Sequence, residues 1–177
     1  MTRLTPSRPD RLDPDARAVY DKITSGPRGA SVTGADGALI GPFNAMLLSP
    51  PVGDALQELG AAIRYGSRLT GRCRELATLV VANHCDSAFE RQAHERLARG
   101  LGFTEEQLAS LRAGEQPSLD DEEEATVHRI ARALVTRGDL DEEEYSLLAP
   151  PVLFELTTLV GYYRTLALQM RVFRVQP

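Results

Sequence analysis

"LTGRCRELATLVVANHCDSAFERQAHERLARGLGFTEEQL", residues 69–108, reads as two helices and the start of a third. Thr70 is placed to cap the first. Residues 72–84 follow, apolar almost all round from Leu76 to Ala82, and a helix of that kind is buried on most sides. Ser87 opens the second helix, which runs to Leu101 and closes at Gly102. Thr104-Glu105-Glu106-Gln107 has the spacing of a capping box and opens the third.

Within the second helix, Ser87, Glu90 and His94 fall on one stripe. At roughly 100° per residue, Arg91, Gln92, Glu95, Arg96 and Arg99 gather on an arc that reads as the wet face. Phe89, Ala93, Leu97 and Leu101 gather opposite, with Glu90 inside that apolar arc and His94 at its edge. A carboxylate on a core-facing stripe is paired, capping or catalytic. Ser87-x-x-Glu90 fits a capping box, and spacing alone favours that reading somewhat. The cap and a site are compatible, because a capped carboxylate can still line a cleft. Glu75 is a second misplaced acid, in the first turns of the most apolar helix. Dipole stabilisation accounts for it; so does a cavity shared with His94, where two carboxylates and an imidazole would trade protons. Glu75, His84, Glu90 and His94 are also the available metal ligands, but neither HExxH nor Glu-x-x-His is present, and no metal or other cofactor is expected. His84 suits the C-terminal end of its helix.

Working outward, helix signals recur and strand signals are scarce. Residues 1–12 read as a Pro- and Arg-rich arm, and residues 13–177 as one helical domain. Asp13-Pro14 starts a helix that ends near Ser25. The glycine-rich segment 25–43 reads as a loop. Ser49-Pro50-Pro51 restarts a helix to about Tyr65. Ser118 is expected to open a helix to about Arg137, and Asp141 a short one. "DDEEEA" (120–125) reads as solvated first-turn acids. After Pro150-Pro151 comes a long, mostly apolar C-terminal helix, with more to hide than one chain covers; that excess implies a helical homo-oligomer. "ELATLVV" (75–81) and "ELTTLVG" (155–161) hint at an internal duplication.

The totals agree with this. A chain of 177 residues with 42% hydrophobic and 25% charged residues is ordinary for one globular domain. A net charge of −5 argues against a nucleic-acid or anionic-membrane surface. The first 18 residues lack a signal peptide's apolar centre and no run is long enough to span a bilayer, so a cytoplasmic protein is expected. Cys73 and Cys85 form neither a CxxC pair nor a zinc cluster.

"GPFNAMLLSP" (41–50), the 69–108 stretch and "LVGYYRTLALQMRVF" (159–173) together resemble the carboxymuconolactone decarboxylase family, which shares its fold with the alkylhydroperoxidase D (AhpD) proteins. The resemblance covers about residues 15–174. It implies an all-α, AhpD-like helical bundle that assembles as trimers or hexamers. The peroxidase branch carries a Glu, then a CxxC pair, then a His four residues after the second Cys. Here the Glu matches Glu75 and the His matches His94, while the cysteine positions hold Ser87 and Glu90. Ser and Glu cannot cycle between dithiol and disulfide, so no thiol peroxidase or disulfide reductase activity is expected.

What the resemblance leaves is proton chemistry by Glu75, Glu90 and His94, with Ser87 as a hydrogen-bonding partner. The decarboxylase branch is a cofactor-free lyase acting on a carboxylated lactone from aromatic degradation. Such a step needs a general acid or base beside the protonated carbon. His94 is the expected donor, oriented by Glu75 or Glu90. Arg74 or Arg164 is a candidate for a substrate carboxylate. Phe43, Phe89, Tyr162 and Tyr163 are candidate pocket walls, and equally core. A non-catalytic assembly is the alternative; His94 held by a structural carboxylate in a packed core would favour it.

Overall fold

The computed structural model describes residues 2–175, and every regular element among them is helical. Met1 of the expected arm and Gln176 and Pro177 of the expected domain lie outside the described residues. Nine α-helices follow in order: α1 (Pro14–Ser25), α2 (Pro42–Met46), α3 (Pro50–Gly66), α4 (Gly71–His84), α5 (Ala88–Gly100), α6 (Glu105–Ala113), α7 (Glu122–Thr136), α8 (Glu142–Ser146) and α9 (Pro150–Phe173). No helix among the described residues is long and apolar enough to cross a membrane. The described residues form two compact units, one up to Ala62 together with those from Gln169 onward, the other Ile63–Leu168.

In the first unit, the Asp13 carboxylate accepts the Ala16 N–H at 2.8 Å and Pro14 takes the first helical turn, as the cap-then-proline pattern requires. One face of α1, Ala16, Val19, Tyr20 and Ile23, is buried. The Tyr20 hydroxyl donates to the Gly37 carbonyl at 2.7 Å and pins the 25–43 loop. That loop contains a short 3-10 turn at Gly29–Ser31 and a single bridge between Thr33 and Leu39. The amino-terminal arm is tied down as well: the Arg3 N–H donates to the Phe173 carbonyl at 2.9 Å, and the Ser7 N–H to Asn44 Oδ1 at 3.0 Å. Helix α2 was not expected. Five residues are too few to display a helical period, and only Pro42 at its first position signals it.

In the second unit, α4 packs against α5, α6 and α7. Leu76 to Ala82 are all buried, which is what an apolar circumference predicts. Thr70 caps α4 by accepting the Cys73 N–H at 3.1 Å, and the Thr104–Gln107 and Asp141–Glu144 capping boxes are both formed. Helix α7 begins three residues later than Ser118 suggests, because Asp121 is the cap: its carboxylate accepts the Glu124 N–H at 2.9 Å. The acidic run is only partly solvated. Glu122 and Glu123 are exposed, but Glu124 is buried and takes both arms of Arg72, at 2.5 and 2.9 Å. The Arg72 guanidinium also lies 4.0 Å over the Phe103 ring and donates to the Leu101 carbonyl. A bidentate pair of this kind fixes α4 against α7.

The two similar segments lie on α4 and α9, and their acids have different partners. Glu155 takes the backbone N–H and guanidinium of Arg68 at 2.7 and 2.9 Å, whereas Glu75 turns inward. On α9, Phe154 and Leu168 stay 71% and 62% exposed, so the apolar excess read from the sequence is real.

Glu124→Ala would leave Arg72, stacked over Phe103, without its counter-charge. It is expected to destabilise the protein by about 3 kcal/mol, measured by urea unfolding.

Candidate active site

Helix α4 ends in a tight reversal. Asp86 adopts a left-handed conformation, φ 48°, which Asp tolerates better than most residues. The Asp86 N–H donates to the Asn83 carbonyl at 3.1 Å and the Ser87 N–H to the Ala82 carbonyl at 2.8 Å. These two bonds are the Schellman pair that satisfies the end of a helix. Ser87 then begins α5, but its side chain makes no capping bond. The expected Ser87–Glu90 box is therefore absent, for a simple reason. The Ser87 N–H that the Glu90 carboxylate would accept is already given to Ala82.

Glu90, released from capping, faces inward. It is 3% exposed, and its Oε2 lies 3.1 Å from His94 Nε2, one turn along α5. On the other side of the ring, His94 Nδ1 lies 2.5 Å from Glu75 Oε2. The second Glu75 oxygen lies 3.6 Å from Arg64 Nη1, at the end of α3. The imidazole is thus clamped between two carboxylates, and an arginine backs one of them. The Tyr163 ring meets His94 edge-on at 5.0 Å, and Tyr162 meets Tyr163 in the same way at 5.2 Å. The Glu90 Oε1 is buried with no hydrogen-bond partner.

The electrostatics follow from this geometry. Burial by itself would lower the His94 pKa. The hydrogen bonds to Glu75 and Glu90, with their charges, outweigh it and raise the value to about 9. His94 is therefore a protonated imidazolium at neutral pH. Burial, then the Glu90 and Glu75 charges, push the Tyr163 phenol well above its usual value, so it remains a neutral wall.

The inward stripe of α5 differs from the helical-wheel expectation. Leu97 and Leu101, placed on the core arc by their apolarity, are partly exposed. Glu95, placed on the wet arc, is buried, because Arg112 covers it at 2.5 and 2.6 Å and Arg99 at 3.3 Å. The face turned inward is the one whose polar groups find partners.

Of the expected site residues, Glu75, Glu90 and His94 converge. Ser87 is buried at the start of the same helix without a side-chain cap bond. Arg74 donates to the Leu69 carbonyl at 2.6 Å, which occupies part of its guanidinium. Arg164 is exposed and Phe89 half-buried. Tyr162 is buried, and it touches the cluster's neighbour Tyr163 rather than the imidazole. Phe43 belongs to the first unit, where Arg28 sits 5.4 Å over its ring. Sequence reasoning missed Arg64, since a lone arginine near a helix end carries no signal until Glu75 is placed. No group of three His, Cys, Asp or Glu among the described residues is arranged to hold a metal ion. His84 is exposed at the end of α4. The Cys73 thiol is buried and pushed up to about 11, chiefly by that burial, and Cys73 and Cys85 are not joined in a disulfide.

Residues 50–133, from the start of α3 into α7, match the carboxymuconolactone decarboxylase family. Among curated proteins no relative matches the sequence. Two solved structures share the fold at low identity. One is an uncharacterized peroxidase-related protein from Silicibacter sp. TM1040, with TM-score 0.74 and 14% identity, covering 99% of this chain and 91% of that one. The other is an alkylhydroperoxidase AhpD core, an uncharacterized peroxidase-related protein from Ralstonia eutropha JMP134, with TM-score 0.78 and 10% identity, covering 99% and 92%. The matched stretch carries the Glu75–His94–Glu90 cluster and is similar to the carboxymuconolactone decarboxylase family, and the fold around it is similar to that of the AhpD core.

Proposed function

We propose that this protein is a cofactor-free acid–base lyase that decarboxylates a small carboxylated lactone or a related metabolite. The observation that carries the reading is the buried imidazolium between Glu75 and Glu90, with one Glu90 oxygen unpartnered. Both ring nitrogens of His94 are occupied, so His94 does not meet the substrate directly. The proton reaches the substrate through Glu90, and Glu75 and Arg64 hold the ring in place. When the substrate loses CO2, the electron pair of the broken C–C bond remains as an enolate. The His94 imidazolium passes its proton to the Glu90 carboxylate, and the Glu90 carboxyl so formed gives it to that carbon. Solvent restores the proton to His94.

The thiol peroxidase reading has less support. Ser87 and Glu90 stand where that chemistry needs cysteines, and a thiol raised to about 11 is a poor nucleophile at neutral pH. A second reading, a non-catalytic helical assembly, draws on the same closure of the site, since a histidine held by carboxylates in a core is also a structural motif. Self-association as trimers or hexamers fits either reading, and the exposed Phe154 and Leu168 support it.

With purified full-length protein, CO2 release from a carboxylated lactone is expected to fall about a hundredfold or more in Glu90→Gln and His94→Gln, with circular dichroism unchanged. Turnover that survives both substitutions would sink the assignment. Cys73→Ser and Cys85→Ser are expected to leave turnover intact; peroxide consumption that disappears in Cys85→Ser would restore the thiol reading.

The histidine also couples stability to pH. Its folded pKa, about 9, lies above the ordinary 6.5, so the folded state binds the proton more tightly. The stabilisation is complete below about pH 6.5 and is lost as pH rises through about 9. The Tm of the natural protein is expected to fall across that window, and more shallowly in His94→Gln.

A further inference from the structure

A cavity of about 270 Å³ lies in the Ile63–Leu168 unit, where the C-terminal ends of α4 and α6 meet the second half of α7. It falls just below the roughly 300 Å³ at which pockets for drug-sized ligands begin, so it suits something smaller. None of its lining residues belongs to the Arg64–Glu75–His94–Glu90 cluster. Val80, Leu111 and Val135 give it an apolar floor. Two arginines line it, and they differ. Arg112 is held by Glu95 at 2.5 and 2.6 Å. An Arg132 guanidinium N–H donates to the Gly114 carbonyl, and no carboxylate among the described residues pairs with Arg132.

We infer that this cavity binds a small monocarboxylate with a compact apolar body. Its carboxylate pairs with Arg132, and its body rests on Val80, Leu111 and Val135. A half-buried guanidinium on the cavity wall, with no carboxylate against it among the described residues, lacks the partner that a planar, charge-assisted bond would supply. His128 sits inside, 2% exposed, one turn before Arg132 on α7. Burial, then the Arg132 charge, pull its pKa down to about 4, so it is a neutral imidazole that can offer an N–H without adding a second buried cation. Glu115, also on the lining, opposes a doubly charged anion and limits the ligand to one negative charge.

The test titrates the full chain with benzoate and with benzamide, its uncharged isostere, followed by amide NMR shifts. Benzoate is expected to shift Gly114 and the Arg132 turn, and benzamide to bind at least about tenfold more weakly. Arg132→Gln should weaken benzoate about tenfold, and Arg129→Gln, on the same helix but paired with Glu143, should leave it unchanged. If the loss of the Gly114 bond unfolds Arg132→Gln, Arg132→Lys keeps the charge without the planar fork and should weaken binding about threefold. Equal binding of benzoate and benzamide, or no benzoate binding, overturns the proposal. So does undiminished binding to a folded Arg132→Gln or Arg132→Lys. Benzoate binding lost instead in Glu90→Gln would place the ligand in the other site and overturns it too.

Discussion

The Ser87 backbone N–H donates to the Ala82 carbonyl at 2.8 Å, and the site depends on that bond. It closes the end of α4, and by occupying the N–H it keeps the Glu90 side chain from folding back as a cap. The reversal at Asp86 also aims α5 so that Glu90 and His94 face α4, where Glu75 is waiting. One backbone bond therefore does two things. It satisfies a helix end, and it turns a surface-type sequence pattern into an inward-facing acid–imidazole pair.

A buried imidazole with one carboxylate is a common arrangement, but one with a carboxylate on each nitrogen is more demanding. Burial penalises every charge in the cluster. The arrangement persists because each charge is met at close range: His94 by both acids, and Glu75 also by Arg64. The exception is Glu90 Oε1, which has no partner. A buried oxygen left unsatisfied has a cost in stability, which gives it interest as a functional atom.

Much of the architecture was legible in the sequence because it rests on local rules. The caps at Asp13, Thr70, Thr104 and Asp141, and the apolar girth of α4, needed no tertiary information. The start of α7 slipped because Ser118 and Asp121 are both good caps, and only Asp121 is followed directly by helix-starting acids. Glu75, Glu90 and His94 were found as charges in the wrong place. Their order was not: whether Glu90 capped or paired depended on a single backbone donor. The helical wheel misjudged Glu95 and Leu97 because it weighs apolarity and cannot see that Arg112 reaches across from α6. Arg64 was invisible for the same reason, its partner being eleven residues away on another helix.

Two carboxylates hold His94 in its charged form. The chain has three histidines, so the ring resonances can be assigned with His94→Gln and followed across pH by NMR. The His94 ring is expected to titrate near 9, and Glu75→Gln to move it downward. A His94 that titrates at the ordinary value of about 6.5, unaffected by Glu75→Gln, would contradict this.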